Sequence, residues 1–323
     1  MRIEPPAHGR PHPRRPGTRR WSRGTPSLWT PAGHRRRLAL AVFAVLLAAL
    51  GASAQAAESI LFVGNSFTYG AGSPVWKYRA DTVTDLNGAG VGGVPALFKL
   101  FTAEAKLHYD VSVEAVGGQG LDFHLQEKAS LIDRAWDHVV LQDYSTLDRA
   151  RPGDPTSLLA STRRIAKMLH AKNPHVEVLL TATWSRADQV YPAVGHWHGR
   201  PIWSMARDIR RAYDAAAAAS PYVRGVIPVG EAWNRAFAVG FADPNPYDGI
   251  APGKVNLWTW DNHHASTLGY YLEALMVFGR VTGQDPRSLG AAETAAAELG
   301  LSPGQATALQ QIARDELKAQ QGR

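Results

Sequence analysis

The sequence predicts an α/β fold, a three-layer α/β/α sandwich in which a central parallel sheet is covered by helices on both faces. Three observations carry the prediction. Short apolar runs of strand length recur along residues 57–323, each closed by a turn signal, as a strand buried on both faces requires. Longer stretches with apolar residues at helical spacing lie between them, and the two kinds of segment alternate. No Pro-, Ser- or Gly-rich linker and no run of charge divides the stretch, so a single domain is expected over 57–323.

The elements follow in chain order. Leu61 to Val63 is an apolar run ending in Gly64-Asn65-Ser66, a buried strand reaching a polar turn. The glycine-rich segment Tyr69 to Gly93 lacks the Lys-Ser/Thr ending of a phosphate-binding loop, and it reads as a long loop at the site. Pro95 to Ala105 is a helix with Leu97, Phe98, Leu100 and Phe101 on one side. Val111 to Val116 is a strand closed by Gly117-Gly118-Gln119-Gly120, and Trp136 to Ser145 is a third strand running into a polar tip. A helix over Ser157 to His170, a strand at Val176 to Thr183, a helix over Trp203 to Ala218 and a short strand at Val226 to Val229 come next. Glu231 to Ala238 is helical and Phe241 to Trp260 irregular. Ala265 to Val281 is an apolar helix, and Ser302-Pro303 opens a last, peripheral helix to about Lys318.

Residues 1–56 stand apart. They hold ten Arg, no Lys and one Glu, a charge of +9 against +7 for the whole chain, so the high pI belongs to this leader. The remainder is slightly acidic, which argues against a nucleic-acid partner. Within the leader, His34-Arg35-Arg36-Arg37, the apolar run Leu38 to Leu50 and Ala54-Gln55-Ala56 form the three parts of a secretory signal, with cleavage expected near Ala56. The apolar run is short for a membrane span. A secreted or periplasmic location with no span left after cleavage is the expectation. The absence of cysteine excludes disulfides, thiolate nucleophiles and Cys-based zinc sites.

Ser66 stands at the carboxyl end of the first strand, where open α/β sheets bind their ligands. Far downstream, Asp261-Asn262-His263-His264 sets an acid three residues before a histidine. A loop folding back on itself would let Asp261 orient His264 and complete a Ser66, His264, Asp261 catalytic set. His263 is the competing base.

Gly64-Asn65-Ser66 and Asp261-x-x-His264 resemble the first and last blocks of the SGNH (GDSL-type) hydrolases. The resemblance implies a flavodoxin-like three-layer fold and an esterase, lipase or carbohydrate deacetylase acting through an acyl-enzyme, with no cofactor or metal required. It also implies an oxyanion hole from the backbone N–H groups of Ser66 and Gly118, the glycine of the second block. The family's third block offers an Asn within Gly-x-Asn-Asp, which this chain lacks; Gln142 is the candidate for that donor and Ser145 the second. Asn65, Trp184, Trp258 and Trp260 are candidates for contact with a small-molecule or polysaccharide ester.

Two other classes remain open. His196-x-His198 with Asp261, His263 and His264 would supply ligands for a metal-dependent hydrolase. Aromatic residues at the carboxyl edge, Trp197 and Trp203 among them, would serve a non-catalytic sugar-binding protein. The α/β-hydrolase scaffold is disfavoured, since Thr68 stands where Gly-x-Ser-x-Gly needs glycine.

Overall fold

The computed structural model describes residues 56–321. The leader and its cleavage site lie outside that range apart from Ala56. Six strands form one parallel sheet: β1 (Glu58–Gly64), β2 (Thr84–Asp85), β3 (Tyr109–Ala115), β4 (His138–Leu141), β5 (Glu177–Ala182) and β6 (Val223–Pro228), in the order β2-β3-β1-β4-β5-β6. The alternating segments therefore produce the predicted three-layer fold, with one strand more than the sequence suggested. The additional strand is the two-residue edge β2, inside the glycine-rich loop and too short to leave a pattern.

β1 lies at the centre. Ile60, Leu61, Phe62 and Val63 are each at most 1% exposed, which explains why this stretch carries no polar alternation. Ile60 sits opposite Val111 of β3 on one side and His138 of β4 on the other. Passing from β1 to β3 the chain moves one way across the sheet, through α1 (Gly93–Glu104); from β3 to β4 it moves back the other way, through α2 (Leu121–Glu127). Right-handed crossovers in opposite directions send the two helices to opposite faces. α1 packs against α6 (Thr267–Thr282), whereas α2 packs against α3 (Thr156–Lys172), and α3 against α4 (Trp203–Ala218). The loops leaving β1 and β4 consequently diverge, and a crevice opens at their carboxyl ends.

α2 escaped the sequence reading. It is seven residues long, follows a glycine turn and buries only Leu121 and His124, too little for a period to register. The last helix, α7 (Pro303–Gln321), is less peripheral than its sparse apolar residues implied. Ser302 Oγ accepts from Gln305 N at 3.2 Å while Gln305 Oε1 accepts from Ser302 N at 2.9 Å, a capping box. Leu309, Ile312 and Ala313 then pack toward α6 and α5 (Val229–Ala238), and Arg235 of α5 pairs with the buried Glu316 at 2.8 Å.

α6 is capped by Ser266 and ends at Gly283 in the left-handed region, φ 69°. From its first turn the Tyr270 hydroxyl donates toward the carbonyls of Ser66 and Ala71, 3.2 Å each, pinning the turn after β1. On the other side of that turn Gly93 opens α1 at φ 66°, where a Cβ would lie 2.7 Å from the Thr68 carbonyl oxygen. Gly93→Ala combines backbone strain with that clash, and urea unfolding should read a loss of about 2 kcal/mol or more. An unchanged midpoint would show that the turn yields freely.

Candidate active site

The turn after β1 is built so that Ser66 ends the strand. Gly64 is required because a Cβ there would sit 2.1 Å from Thr68 Oγ1 and 2.7 Å from Gln142 Oε1. Asn65 Oδ1 accepts from Phe67 N at 3.1 Å, and the Asn65 carbonyl accepts from Thr68 N and Tyr69 N, which closes a single helical turn. Ser66 is half-buried at its start, and its backbone N–H donates to no acceptor among the described residues.

Gly118 stands at the end of β3 with φ 70°, the left-handed conformation that favours glycine. Its N–H is likewise unpartnered among the described residues. Arg149 Nη2 donates to its carbonyl oxygen, and the Arg149 guanidinium lies 5.3 Å from the centre of the Tyr144 ring.

Asp261 and His264 meet as their spacing suggested. His264 Nδ1 lies 2.7 Å from Asp261 Oδ2. Asp261 Oδ1 accepts from Thr259 Oγ1 (2.7 Å), His264 N (2.9 Å) and His263 N (3.0 Å), so the whole loop wraps the carboxylate. Burial pushes the Asp261 pKa up, but hydrogen bonds from His264, Thr259 and the two backbone N–H groups outweigh it and hold the carboxyl well below its usual range. His264 Nε2 is buried with no hydrogen-bond partner among the described residues. No hydrogen bond joins it to Ser66 Oγ; the contact between the two segments runs through Phe67, whose ring lies 5.6 Å from that of His264.

His263 stacks on His264 at 4.1 Å between ring centres and 14° between planes. Burial, the Arg186 charge and His264 all depress its pKa, so it stays neutral beside His264. Asp261, His263 and His264 bring ligand atoms within 4.8 Å of one another. His196 and His198 are not part of that group: His198 Nδ1 faces the Tyr191 carbonyl, and His196 packs on Trp197. The five-residue metal set is thus not assembled.

Four sequence candidates change role. Gln142 is 2% exposed; its Oε1 accepts from Asn65 N (3.0 Å) and Thr68 Oγ1 (3.1 Å), and its Nε2 donates to the Asp143 carbonyl. The amide oxygen and one of the two N–H groups are thereby spent inside the protein, on a side chain almost wholly out of solvent. Asn65, also 2% exposed, spends its Nδ2 on the carbonyls of Gln119 (2.8 Å) and Asp143 (3.2 Å), so it braces three loops instead of meeting substrate. Trp184 and Trp258 are core residues. Trp184 stacks between Phe67 (4.4 Å) and Trp233 (4.7 Å), and Trp258 stacks on Phe237 (5.4 Å). Their indole N–H groups donate to the carbonyls of His263 and Ser185. Trp260, in contrast, is 86% exposed beside Asp261.

A cleft of about 370 Å³ opens beside Gly118, lined by Asp122, Asp143, Tyr144, Asp148 and Arg149 among others. Nothing in the sequence marked Asp143 or Arg149, because their positions are set by the packing of the β3 and β4 loops. Asp143 is buried, accepts from Leu121 N at 2.7 Å with Oδ1, and leaves Oδ2 without a partner. Burial lifts its pKa to about 6.

A solved structure of a DUF4886 family protein from Bacteroides uniformis superposes on this chain with TM-score 0.57 at 18% identity, covering 81% of this chain and 95% of that one. The chain shares that protein's fold. Weaker similarities reach a GDSL-like lipase described from Parabacteroides merdae (TM-score 0.48, 16% identity, 70% of this chain and 95% of that one) and a member of the lipolytic G-D-S-L family from Veillonella parvula (0.46, 14%, 71% and 100%). No family model matches the sequence, and no curated protein does.

The raised pKa of Asp143 makes a prediction. Below the ordinary carboxyl value of 3.8 the group is protonated both folded and unfolded; between 3.8 and about 6 only the folded form holds the proton; above that the charge is buried in full. Its contribution to stability thus falls as pH rises through that window. Asp143→Asn keeps an acceptor for Leu121 N and removes the charge. Its melting temperature should exceed that of the parent by about 4 °C or more at pH 7 and converge with it near pH 4; parallel curves would show that Asp143 is not desolvated.

Proposed function

We propose that the chain is an exported serine esterase of the SGNH type that cleaves short-chain carboxylic esters of polyhydroxy alcohols, acetylated carbohydrate above all. The observation that carries the esterase reading is the Asp261–His264 pair, 2.7 Å apart, with Nε2 of the imidazole left free next to the Ser66 turn. Two unpartnered backbone N–H groups, of Ser66 and Gly118, supply what a developing oxyanion needs.

In the reaction His264 Nε2 takes the proton of Ser66 as Oγ bonds to the ester carbonyl carbon, and the carbonyl electron pair moves onto oxygen. Asp261 stabilises the imidazolium and holds its orientation. The C–O bond to the alcohol then breaks, His264 returns the proton to the departing oxygen, and water, deprotonated by the same imidazole, releases the acid and Ser66.

The substrate class is supported by the cleft beside Gly118. Its lining of Asp122, Asp148, Arg149 and the Tyr144 ring offers donors and acceptors to hydroxyl groups and little to a long acyl chain. Trp260 and the 41%-exposed Trp76 give apolar faces on which sugar rings could stack. Export rests on the leader of residues 1–56. A second reading, a metal-dependent hydrolase, is favoured by one observation, the proximity of Asp261, His263 and His264.

Labelling with a fluorophosphonate and peptide mapping distinguishes these readings. Adduct on Ser66 is expected, lost in His264→Ala and untouched by EDTA; activity that disappears with EDTA and no adduct would establish the metal reading. Asp261→Asn should lower kcat by about 10³- to 10⁴-fold. Across 4-nitrophenyl esters kcat/KM should be highest for acetate, and a preference for eight carbons or more would overturn the substrate class.

A further inference from the structure

With Gln142 committed to the interior, the proposed oxyanion hole lacks its third donor, and we infer that the hydroxyl of Ser145, set by Arg186, supplies it. The inference rests on the serine-esterase reading above.

The position follows from the sheet. β4 runs beside β1 with Leu141 opposite Val63, and the next two residues, Gln142 and Asp143, both hydrogen-bond to Asn65, immediately before Ser66. Ser145 is two residues further along this loop and only 4% exposed. Arg186 reaches it from the end of β5, also largely buried at 8%. The segment that carries Arg186 borders the histidine loop: the N–H of Asp188, two residues on, donates to the Asn262 carbonyl at 3.2 Å. Ser145 is thus tied along its own loop to the residues that brace the Ser66 turn, and through Arg186 to the segment that touches the loop carrying His264.

The donor role follows from hydrogen-bond accounting. A guanidinium has no acceptor, so at 3.2 Å Arg186 Nη1 donates and Ser145 Oγ accepts. The rest of the Arg186 fork is fixed by Asp188, through Nε (3.0 Å) and Nη2 (2.6 Å). With a lone pair taken in this way, the Ser145 proton is left to be donated, and no acceptor among the described residues takes it. A buried hydroxyl proton without a partner costs stability and is retained where a ligand atom completes it. A guanidinium behind the oxygen also polarises the O–H bond toward an anion in front of it. As Ser66 Oγ bonds to carbon and the carbonyl pair moves onto oxygen, that oxygen would meet three donors: Ser66 N–H, Gly118 N–H and Ser145 O–H. Arg186 is a positioning residue in this scheme and Ser145 a catalytic one.

The test is steady-state kinetics with 4-nitrophenyl acetate on Ser66→Ala, Ser145→Ala, Ser145→Thr and Arg186→Met, with folding followed by circular dichroism. Ser145→Ala should lower kcat about 100-fold or more with KM within threefold, the pattern of a contact made only in the transition state. Ser145→Thr, which keeps the hydroxyl, should recover most of the loss. Arg186→Met should lower kcat and weaken inhibition by a phenylboronic acid by a similar factor, which a merely structural role would not do. If Ser145→Ala does not fold, Ser145→Cys, with a weaker donor of similar size, reads the same kcat. An inactive Ser66→Ala together with an unimpaired Ser145→Ala overturns the inference and leaves the esterase reading standing. An active Ser66→Ala overturns both.

Discussion

The buried amide of Gln142 joins the two strand ends between which the crevice opens. β1 and β4 diverge at their carboxyl ends because the chain leaves them toward opposite faces, and a gap there would fill with water or collapse. Gln142 Oε1 closes it by accepting from Asn65 N and Thr68 Oγ1 together, while Asn65 Nδ2 reaches across to the loops after β3 and β4. Three loops are thereby locked to one another by side-chain amides that are themselves out of solvent. In such surroundings a hydrogen bond is strong and an unmade one is costly, so the turn bearing Ser66 has a single conformation available.

A second support comes from beneath. Phe67, Trp184, Trp233, Trp258 and Phe237 form a continuous aromatic column from the Ser66 turn to α5. Two of its indoles donate to backbone carbonyls of neighbouring loops, Trp184 to that of His263 and Trp258 to that of Ser185. The column joins hydrophobic burial to loop position: the energy that packs the core also fixes the height of the Asp261–His264 loop against Ser66. Tyr270 adds the same coupling from α6. The histidine segment and the serine segment are some two hundred residues apart in sequence, and no local interaction could hold them together.

Polar groups under the cleft show a third feature. Glu114 on β3 and His124 on α2 pair with neither side chain exposed, and Asn87 Nδ2 donates to Glu114 Oε1 at 3.0 Å. Asp143 lies above them with its pKa raised by burial. Groups of this kind are expensive to bury and more common beneath binding sites than in a purely structural core. Of these groups, Asp143 lines the cleft itself.

The sequence by itself determined the layer architecture and the chemistry-bearing ends of the site. A short apolar run closed by a turn signal, such as Ile60 to Val63, is the mark of a doubly buried strand, and Asp261 three residues before His264 is within reach of it by local closure, so both are legible from local pattern. Trp203 to Ala218 was read to the residue for the same reason. What pattern cannot reveal is which polar groups spend their hydrogen bonds on one another. Gln142, Asn65, Trp184 and Trp258 looked available for substrate because residue type states what a side chain can donate, not where its partners lie. Asp143, Arg149 and the α2 helix were invisible because their significance depends on the approach of loops from different strands. Tertiary structure alone decided which polar groups around Ser66 are spent on one another, since those groups stand at the ends of three strands whose separation in the sequence exceeds any local period.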